Sequence, residues 1–249
     1  MINVQVLASG SKGNCTLLTC GSSKILLDAG INFGRLQRAL NFENPTAALI
    51  THEHSDHANK STINELLKRG VEVYMNEWTA QALNLEPRHN LKTQIAALFD
   101  ISNAEKGEGL IVAKTLYAVH DAAKTINFMV DQRGTQWQEK VLYLTDTGQI
   151  PQRLLESQCA GYPLFRKIVI EANHSEPVLL AADIDEHQKQ RILNNHLSIE
   201  KTAKYISGLE RNFLEEVHLI HISRRHGNGE QFRQIIQEIV GDNVKVFAY

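Results

Sequence analysis

The chain has 249 residues, a formal net charge of −2, 43% hydrophobic residues and 22% charged residues. This length suits one α/β domain with a substantial core. The near-neutral charge argues against sequence-independent wrapping of nucleic acid, although a local basic patch can still bind a nucleic-acid substrate. The three cysteines include no CxxC pair, so they fit reduced thiols better than a disulfide framework or a cysteine zinc site.

The amino-terminal segment has the pattern of a strand and lacks the basic and long apolar regions of a signal peptide. No stretch approaches the roughly 18 apolar residues of a membrane span. We therefore expect a cytoplasmic protein with no membrane contact. Because no repeat and no linker rich in Gly, Ser or Pro divides the sequence, we expect a single domain over residues 1–249.

Apolar periodicity and turn residues predict strands in two regions and helices around them. The predicted strands are 2–8, 15–20, 24–28, 47–50, 71–75, 110–119, 125–131, 139–144, 167–171, 216–221 and 244–248. The predicted helices are 33–40, 61–69, 77–84, 183–194, 198–208 and 230–240. This distribution indicates two packed sheets with helices outside, although periodicity alone leaves the topology open.

The strongest local signal is His52-x-His54-x-Asp56-His57, directly after a predicted buried strand. Imidazole nitrogens and carboxylate oxygens suit zinc and similar divalent ions. Ligands at positions i and i+2 can converge on one ion, and the Asp and the adjacent His can then turn toward a second. A polar, His-rich surface loop is the alternative, but clustered histidines serve little other purpose.

Two metal ions need further ligands, which we expect at the ends of later strands. His120 follows the apolar segment 116–119, Asp146 follows 141–145 and His221 follows 217–220. Each of these residues alone is more often structural. Together with the first cluster, and in this order, they predict a metal centre at one rim of a sheet.

The order His-x-His-x-Asp-His, then His, Asp, His resembles the metallo-β-lactamase superfamily, which implies a four-layer αββα sandwich. Asp28 resembles the early buried Asp of that family, which supports the metal loop without binding metal. Seven segments together resemble the YycJ (WalJ) branch, which is linked to 5′-to-3′ DNA exonuclease activity. They are Leu7–Asn14, Thr51–His57, His120–Ala123, Thr145–Gly148, Glu171–His174, His196–Ser198 and His221–Ser223.

The resemblance implies two divalent ions, zinc with manganese as the alternative, and assigns their ligands. The first ion takes His52, His54 and His120; the second takes Asp56, His57 and His221; Asp146 bridges them. Hydrolytic lactamases often carry Cys at the position of Asp146. This Asp, together with the missing signal peptide, argues against a β-lactamase.

The resemblance also implies that His196 contacts the scissile phosphate, with Glu171 as the partner that orients it. The alternative is a solvent-exposed residue at a helix entry, since Ser198 should cap the helix that follows. The turn at Gly10–Asn14 could cradle a phosphate, with Lys12 adding charge, or be an ordinary hairpin turn. The candidate substrate-binding residues are Ser11, Lys12, Asn14, Asn173 and Ser198.

Four other histidines, His174, His187, His218 and His226, are expected to be structural or on the surface. Arg224, Arg225 and Arg233 are candidates for a local basic patch, although paired arginines are usually only solvated. The stretch Arg224–Asn228 departs from the YycJ pattern and is closer to ribonuclease Z.

These observations predict a phosphodiesterase or nuclease, with DNA as the favoured substrate. A hydroxide that bridges the two metals would attack phosphorus, with Asp56, Asp146 and His196 as the catalytic residues. A tRNA-processing nuclease of the ribonuclease Z type and a hydrolase of a small phosphodiester or thioester are the alternatives. A binding protein on a decayed scaffold is disfavoured because every ligand position is filled.

Overall fold

The computed structural model describes residues 1–93, 98–101, 110–133, 139–159 and 165–249. These residues divide into two compact units. The first unit comprises Met1–Thr115 and Ala122–Glu139, and the second comprises Leu116–Asp121 and Lys140–Tyr249. Within the described residues the strands belong to two sheets, as the sequence predicted.

The first unit contains a six-stranded sheet with strands in chain order. Its strands are β1 (Ile2–Ala8), β2 (Cys15–Cys20), β3 (Ser23–Leu27), β4 (Ala47–Leu49), β5 (Glu72–Tyr74) and β6 (Leu91–Lys92). The first three pair antiparallel, and β3 to β6 run parallel. Parallel β3 and β4 end at the same edge, where Asp28 N donates to Leu49 O. That edge therefore receives both Asp28 and the loop 51–57.

Three helices of the first unit begin in the same way, one residue after a capping Asn. They are α1 (Phe33–Ala39), α2 (Lys60–Lys68) and α3 (Glu77–Ala82). The side chains of Asn32, Asn59 and Asn76 each accept a hydrogen bond from a backbone N–H in the first turn, which satisfies a donor that the helix leaves unpaired. Leu36 and Ile63 are fully buried in one apolar cluster with Leu26 and Ile50.

The remaining strands of the first unit are β7 (Leu98–Asp100), β8 (Ile111–Tyr117) and β9 (Ile126–Gln132). Strands β7 and β8 pair antiparallel. The amide of Ile126 donates to the carbonyl of Thr51. The start of β9 therefore lies beside the loop that carries the first histidines.

The second unit is built on four parallel strands in the order β10 (Glu139–Leu144), β11 (Lys167–Glu171), β12 (Glu216–Ile220) and β13 (Lys245–Ala248). Their carboxyl ends lie at one edge, so Asp146, Glu171 and His221 leave the sheet close together. Its helices are α4 (Gln152–Cys159), α5 (Glu176–Ala181), α6 (Glu186–Asn195), α7 (Ile199–Ser207) and α8 (Gly229–Val240).

Most predicted elements are confirmed, with ends shifted by a few residues. Strand β8 ends at Tyr117 rather than at residue 119, and α6 begins at Glu186 because Asp185 caps it. Four elements, β6, β7, α4 and α5, were not predicted, because they are too short or too irregular for a clear apolar period. Within the described ranges, no helix has the length and apolar character needed to cross a membrane. Cys15 and Cys20 are buried thiols.

Candidate metal centre

Asp28 organises the first cluster, in the loop between β4 and α2 of the first unit. This carboxylate is fully buried and accepts hydrogen bonds from Thr51 N and Thr51 Oγ1, both at 2.9 Å. His57 Nδ1 lies 2.7 Å from its other oxygen. Because Nδ1–H of His57 donates to Asp28, Nε2 carries the lone pair that a metal ion requires.

Thr51 extends the same arrangement to the first two histidines. Its hydroxyl proton goes to Asp28, so the oxygen accepts from His52 Nδ1 at 2.9 Å. His52 Nε2 is then unprotonated and lies 3.1 Å from His54 Nδ1. Two nitrogens bound to one tetrahedral zinc at about 2.0–2.1 Å lie roughly 3.3 Å apart. The geometry of this pair therefore fits a shared divalent ion.

Asn14 joins the glycine turn to this loop. It is buried, and its Nδ2 lies 2.9 Å from His57 Nε2 and 3.3 Å from Asp56 Oδ2. Its Oδ1 accepts from Gly10 N at 2.8 Å. Asn14 thus contacts two proposed ligands directly. Ser11 and Lys12, on the same turn, are exposed.

The loop packs so closely that one neighbouring position must be glycine. A Cβ on Gly30 would lie 1.7 Å from the carbonyl oxygen of Asp56. Asp56 O also accepts from Asn14 N at 2.6 Å, and Asp56 Oδ2 lies 3.5 Å from His57 Nε2. These contacts fix the backbone of the loop at Asp56.

Asp146 is the centre of the second cluster, which lies within the second unit. Its Oδ2 is 3.8 Å from His120 Nε2. Its Oδ1 is 3.4 Å from His196 Nδ1 and 3.3 Å from His221 Nδ1. Asp146, Glu171, His196 and His221 each offer a ligand atom, and these atoms lie within 4.8 Å of one another. The two oxygens of Asp146 therefore face different histidines.

Glu171 holds two of these histidines. It is fully buried, and its Oε1 lies 2.7 Å from His196 Nδ1 and 3.1 Å from His221 Nδ1. Burial by itself lowers the pKa of His196, but Glu171 and Asp146 outweigh it and raise that pKa to about 10. Burial opposes ionisation of Glu171, yet His196 and His221 hold its pKa below the usual value. The pair is therefore a buried carboxylate with a protonated imidazole.

Backbone and amide groups orient the remaining ligand candidates. His120 Nδ1 lies 3.1 Å from the carbonyl oxygen of Asn195, at the end of α6, which leaves Nε2 facing Asp146. Asn173 Nδ2 donates to His221 O at 2.9 Å and lies 3.2 Å from His221 Nδ1. Hydrogen bonds to carbonyl groups commonly fix the tautomer of metal-binding histidines.

The predicted cap at Ser198 is confirmed. Its Oγ accepts from Lys201 N at 3.1 Å and donates to Glu176 Oε1 at 2.7 Å. The side chain is fully buried. This hydroxyl is thus already used within the protein, whereas its role in substrate binding stays a prediction.

Three of the proposed site residues have left-handed backbone conformations. Asp28, Asp146 and His221 have φ of 62°, 45° and 54°. Such conformations cost about 1–3 kcal/mol each for residues other than glycine and persist where surrounding contacts enforce them. Each residue lies just after a buried strand, so the strained turn aims its side chain away from the strand direction.

A family model described as the beta-lactamase superfamily domain matches residues 23–222, a range that includes every proposed metal ligand. The chain belongs to this superfamily. Within the superfamily, the chain is 31% identical over 261 aligned positions to exodeoxyribonuclease WalJ of Streptococcus pneumoniae, covering 98% of this chain and 92% of that protein. It is 27% identical to exodeoxyribonuclease YycJ of Bacillus anthracis, covering 96% of this chain and 89% of that protein. The resemblance to the YycJ (WalJ) branch is thereby confirmed.

The predicted fold class is also confirmed. The crystal structure of the metallo-β-lactamase fold protein YhfI from Bacillus subtilis matches with a TM-score of 0.69 at 13% identity. The match covers 100% of this chain and 95% of that one. The chain therefore has the α/β metallo-β-lactamase fold of two sheets with helices.

Two residues that were not among the predicted site residues position loops of the proposed metal centre. Thr51 links Asp28 to His52, and its place directly before the His motif was the available signal. Lys201 Nζ donates to the carbonyls of Gly148 at 2.9 Å and Leu193 at 3.2 Å. Lys201 thereby fixes the turn after Asp146, and no local pattern marks it.

The other predicted basic and histidine residues have varied surroundings. Among the described residues, neither ring nitrogen of buried His174 has a hydrogen-bond partner, and burial lowers its pKa to about 4. His218 is buried against Glu216, and His226 is also buried, whereas His187 is exposed. Arg224 and Arg225 are exposed, and Arg233 pairs with Glu230 at 2.7 Å.

Proposed function

We propose that this chain is a metal-dependent nuclease that hydrolyses DNA phosphodiesters, in the manner of a 5′-to-3′ exonuclease. The observation that carries the proposal is the near full-length similarity to two proteins named exodeoxyribonucleases. The His and Asp clusters support it, because their nitrogen and oxygen donors suit divalent ions. We further propose that the protein acts in the cytoplasm on a nucleic-acid partner.

The proposed cofactor is a pair of divalent ions, zinc or alternatively manganese. The ligands follow the order in which the superfamily carries them along the chain: His52, His54, Asp56, His57, His120, Asp146 and His221. The 3.1 Å separation of His52 Nε2 and His54 Nδ1 supports this set. When bound, such ions supply charge stabilisation at the phosphate and make water a better nucleophile.

The protein's own residues would orient the reactants and move the proton. We propose that Asp56 and Asp146 accept hydrogen bonds from the attacking water. His196 Nδ1–H donates to Glu171, and its side chain is 21% exposed. The other edge of a protonated imidazole, Nε2–H, can then donate to the departing oxygen. Lys12 and Ser11, exposed on the glycine turn, are proposed to contact a substrate phosphate.

The proposal is tested by loading the purified protein with zinc or manganese and measuring both metal content and hydrolysis. The substrates are DNA and RNA labelled at either end, a precursor tRNA, and bis(p-nitrophenyl) phosphate. We expect two ions per chain and degradation of DNA from its 5′ end. The variant Asp146→Asn controls for contaminating nucleases.

Other outcomes would point to the alternatives. Cleavage of precursor tRNA without degradation of DNA would replace the proposal with a tRNA-processing nuclease. Turnover of the small diester alone would indicate a small-ester hydrolase. At most one ion per chain under saturating supply would contradict the proposed metal set.

A further inference from the structure

Exposed Trp78 and half-buried Lys124 form a pair in the first unit. The Trp78 side chain is 43% exposed, and Lys124 Nζ lies 4.2 Å from the centroid of its ring. An aromatic ring of this size is usually well buried when it serves a core. This pair, called here the Trp78–Lys124 platform, therefore presents an aromatic face and a cation at the surface.

The position of the platform is fixed by hydrogen bonds to the start of α3. Asn76 Nδ2 donates to the carbonyl oxygen of Lys124 at 2.6 Å. The same side chain caps α3 by accepting from Thr79 N at 2.8 Å. Because one Asn holds both the helix that carries Trp78 and the backbone of Lys124, the backbone positions of these two residues are fixed relative to each other.

The platform lies beside the loop that carries the first proposed metal ligands. Ala123 N donates to Glu53 Oε1 at 2.7 Å, and Glu53 is the residue between His52 and His54. Ile126 N donates to Thr51 O at 3.1 Å. The segment 123–126 thus runs along the His loop, and Lys124 lies within it.

We infer that the Trp78–Lys124 platform binds an unpaired nucleotide of a single-stranded substrate near the reacting phosphodiester, an inference that rests on the proposed nuclease function. The base stacks on the indole ring, and the Lys124 ammonium group contacts a flanking phosphate. Every base has a π-face, so this contact is independent of sequence, as an exonuclease requires. The lysine stem is flexible enough to leave the ring face when a base arrives.

Charge also favours a nucleic acid over an apolar partner. The chain as a whole carries a formal charge of −2, so binding of a polyanion needs local cations close to the site. Lys124 supplies one next to an aromatic face, which is the combination that proteins use for single strands.

The first test is kinetic and compares Trp78→Ala with Trp78→Phe. With single-stranded oligothymidylate, we expect Trp78→Ala to raise KM about 5- to 100-fold with little change in kcat, since loss of one base stack has this effect on binding. Trp78→Phe should restore most of the affinity. Phe213→Ala, which removes a side chain that is 46% exposed in the second unit, is the matched control and should leave KM unchanged.

The second test measures binding directly. In a Trp137→Phe background, Trp78 is the sole tryptophan of the sequence, and oligothymidylate should quench its fluorescence. Lys124→Gln should lower the slope of log affinity against log salt concentration by about 0.7, because one phosphate contact is lost. Hydrolysis of bis(p-nitrophenyl) phosphate, which has no nucleobase, should be unaffected by Trp78→Ala.

The outcomes separate this inference from the proposed function. If the wild type degrades DNA but Trp78→Ala has an unchanged KM and oligothymidylate does not quench Trp78, the platform is refuted and the nuclease stands. If no nucleic acid is degraded but oligothymidylate quenches Trp78, the nuclease proposal fails and the binding site stands. An equal loss of activity on bis(p-nitrophenyl) phosphate would show that Trp78 supports the fold or the metal loop, which also refutes the platform.

Discussion

Replacement of His196 tests the part of the site that distinguishes phosphodiester cleavage from the general chemistry of the fold. In the structure, His196 Nδ1 donates to buried Glu171 at 2.7 Å, and its ring stacks on His221 with centroids 5.4 Å apart. We expect His196→Ala to lower kcat by about 10²–10⁴, the range for a positioned general acid or base. Metal content should not change, because His196 is not among the proposed ligands.

The expected loss of stability follows from the contacts of Glu171. Without His196 this carboxylate keeps His221 Nδ1 at 3.1 Å, Leu197 N at 3.1 Å and Thr147 N at 3.3 Å. Glu171 therefore loses one of its four hydrogen-bond donors. We expect the free energy of unfolding to fall by about 1–3 kcal/mol, which is less than the penalty for an unpaired buried charge. This amounts to a decrease in Tm of roughly 2–12 °C for a chain of this size.

The assay compares two leaving groups. A nucleotide leaving group needs a proton, whereas p-nitrophenolate does not, so His196→Ala should impair DNA hydrolysis more than hydrolysis of bis(p-nitrophenyl) phosphate. Glu171→Gln should give a smaller decrease, about 10- to 100-fold, because Glu171 acts through His196. Full activity of His196→Ala on both substrates would refute the assigned role. Loss of a metal ion would instead make His196 a ligand.

Three further predictions concern metal binding and folding. Asp146→Ala and Asp146→Asn should both abolish hydrolysis. The free energy of unfolding should be about 1–2 kcal/mol lower in Asp146→Ala than in Asp146→Asn, because Asn tolerates the φ of 45°. Equal unfolding curves or residual turnover would contradict this. Asp28→Asn should weaken zinc binding about 10- to 100-fold, since Asp28 fixes His57 Nδ1; an unchanged zinc titration would remove Asp28 from this role. Burial lowers the pKa of His174 to about 4, so its contribution to stability is complete above pH 6.5 and is lost as pH falls toward 4. Between pH 7.5 and 5 the free energy of unfolding should fall by about 2 kcal/mol on this account. Urea unfolding should show a smaller fall in His174→Leu and an unchanged fall in His187→Leu.

The sequence by itself determined the types of the proposed metal ligands and the order of most helices and strands. Local patterns suffice for both, since the His52–His57 motif lies within six residues and parallel strands appear as short apolar runs. Resemblance over nearly the whole chain then identified the branch of the superfamily, which the comparison with WalJ confirmed. Short elements such as β6 and α5 escaped because they contain too few residues to show a period.

Only the tertiary structure decided which groups support the proposed ligands. Asn14 contacts His57 across 43 positions of sequence, and Glu171 contacts His221 across 50. Such contacts depend on which strands end at the same edge, and no local pattern encodes that choice. The left-handed turn at Asp146 and the approach of Ala123 to Glu53 likewise follow from packing. Sequence therefore specifies the donor atoms, whereas the long-range contacts of the folded chain determine their orientation and protonation.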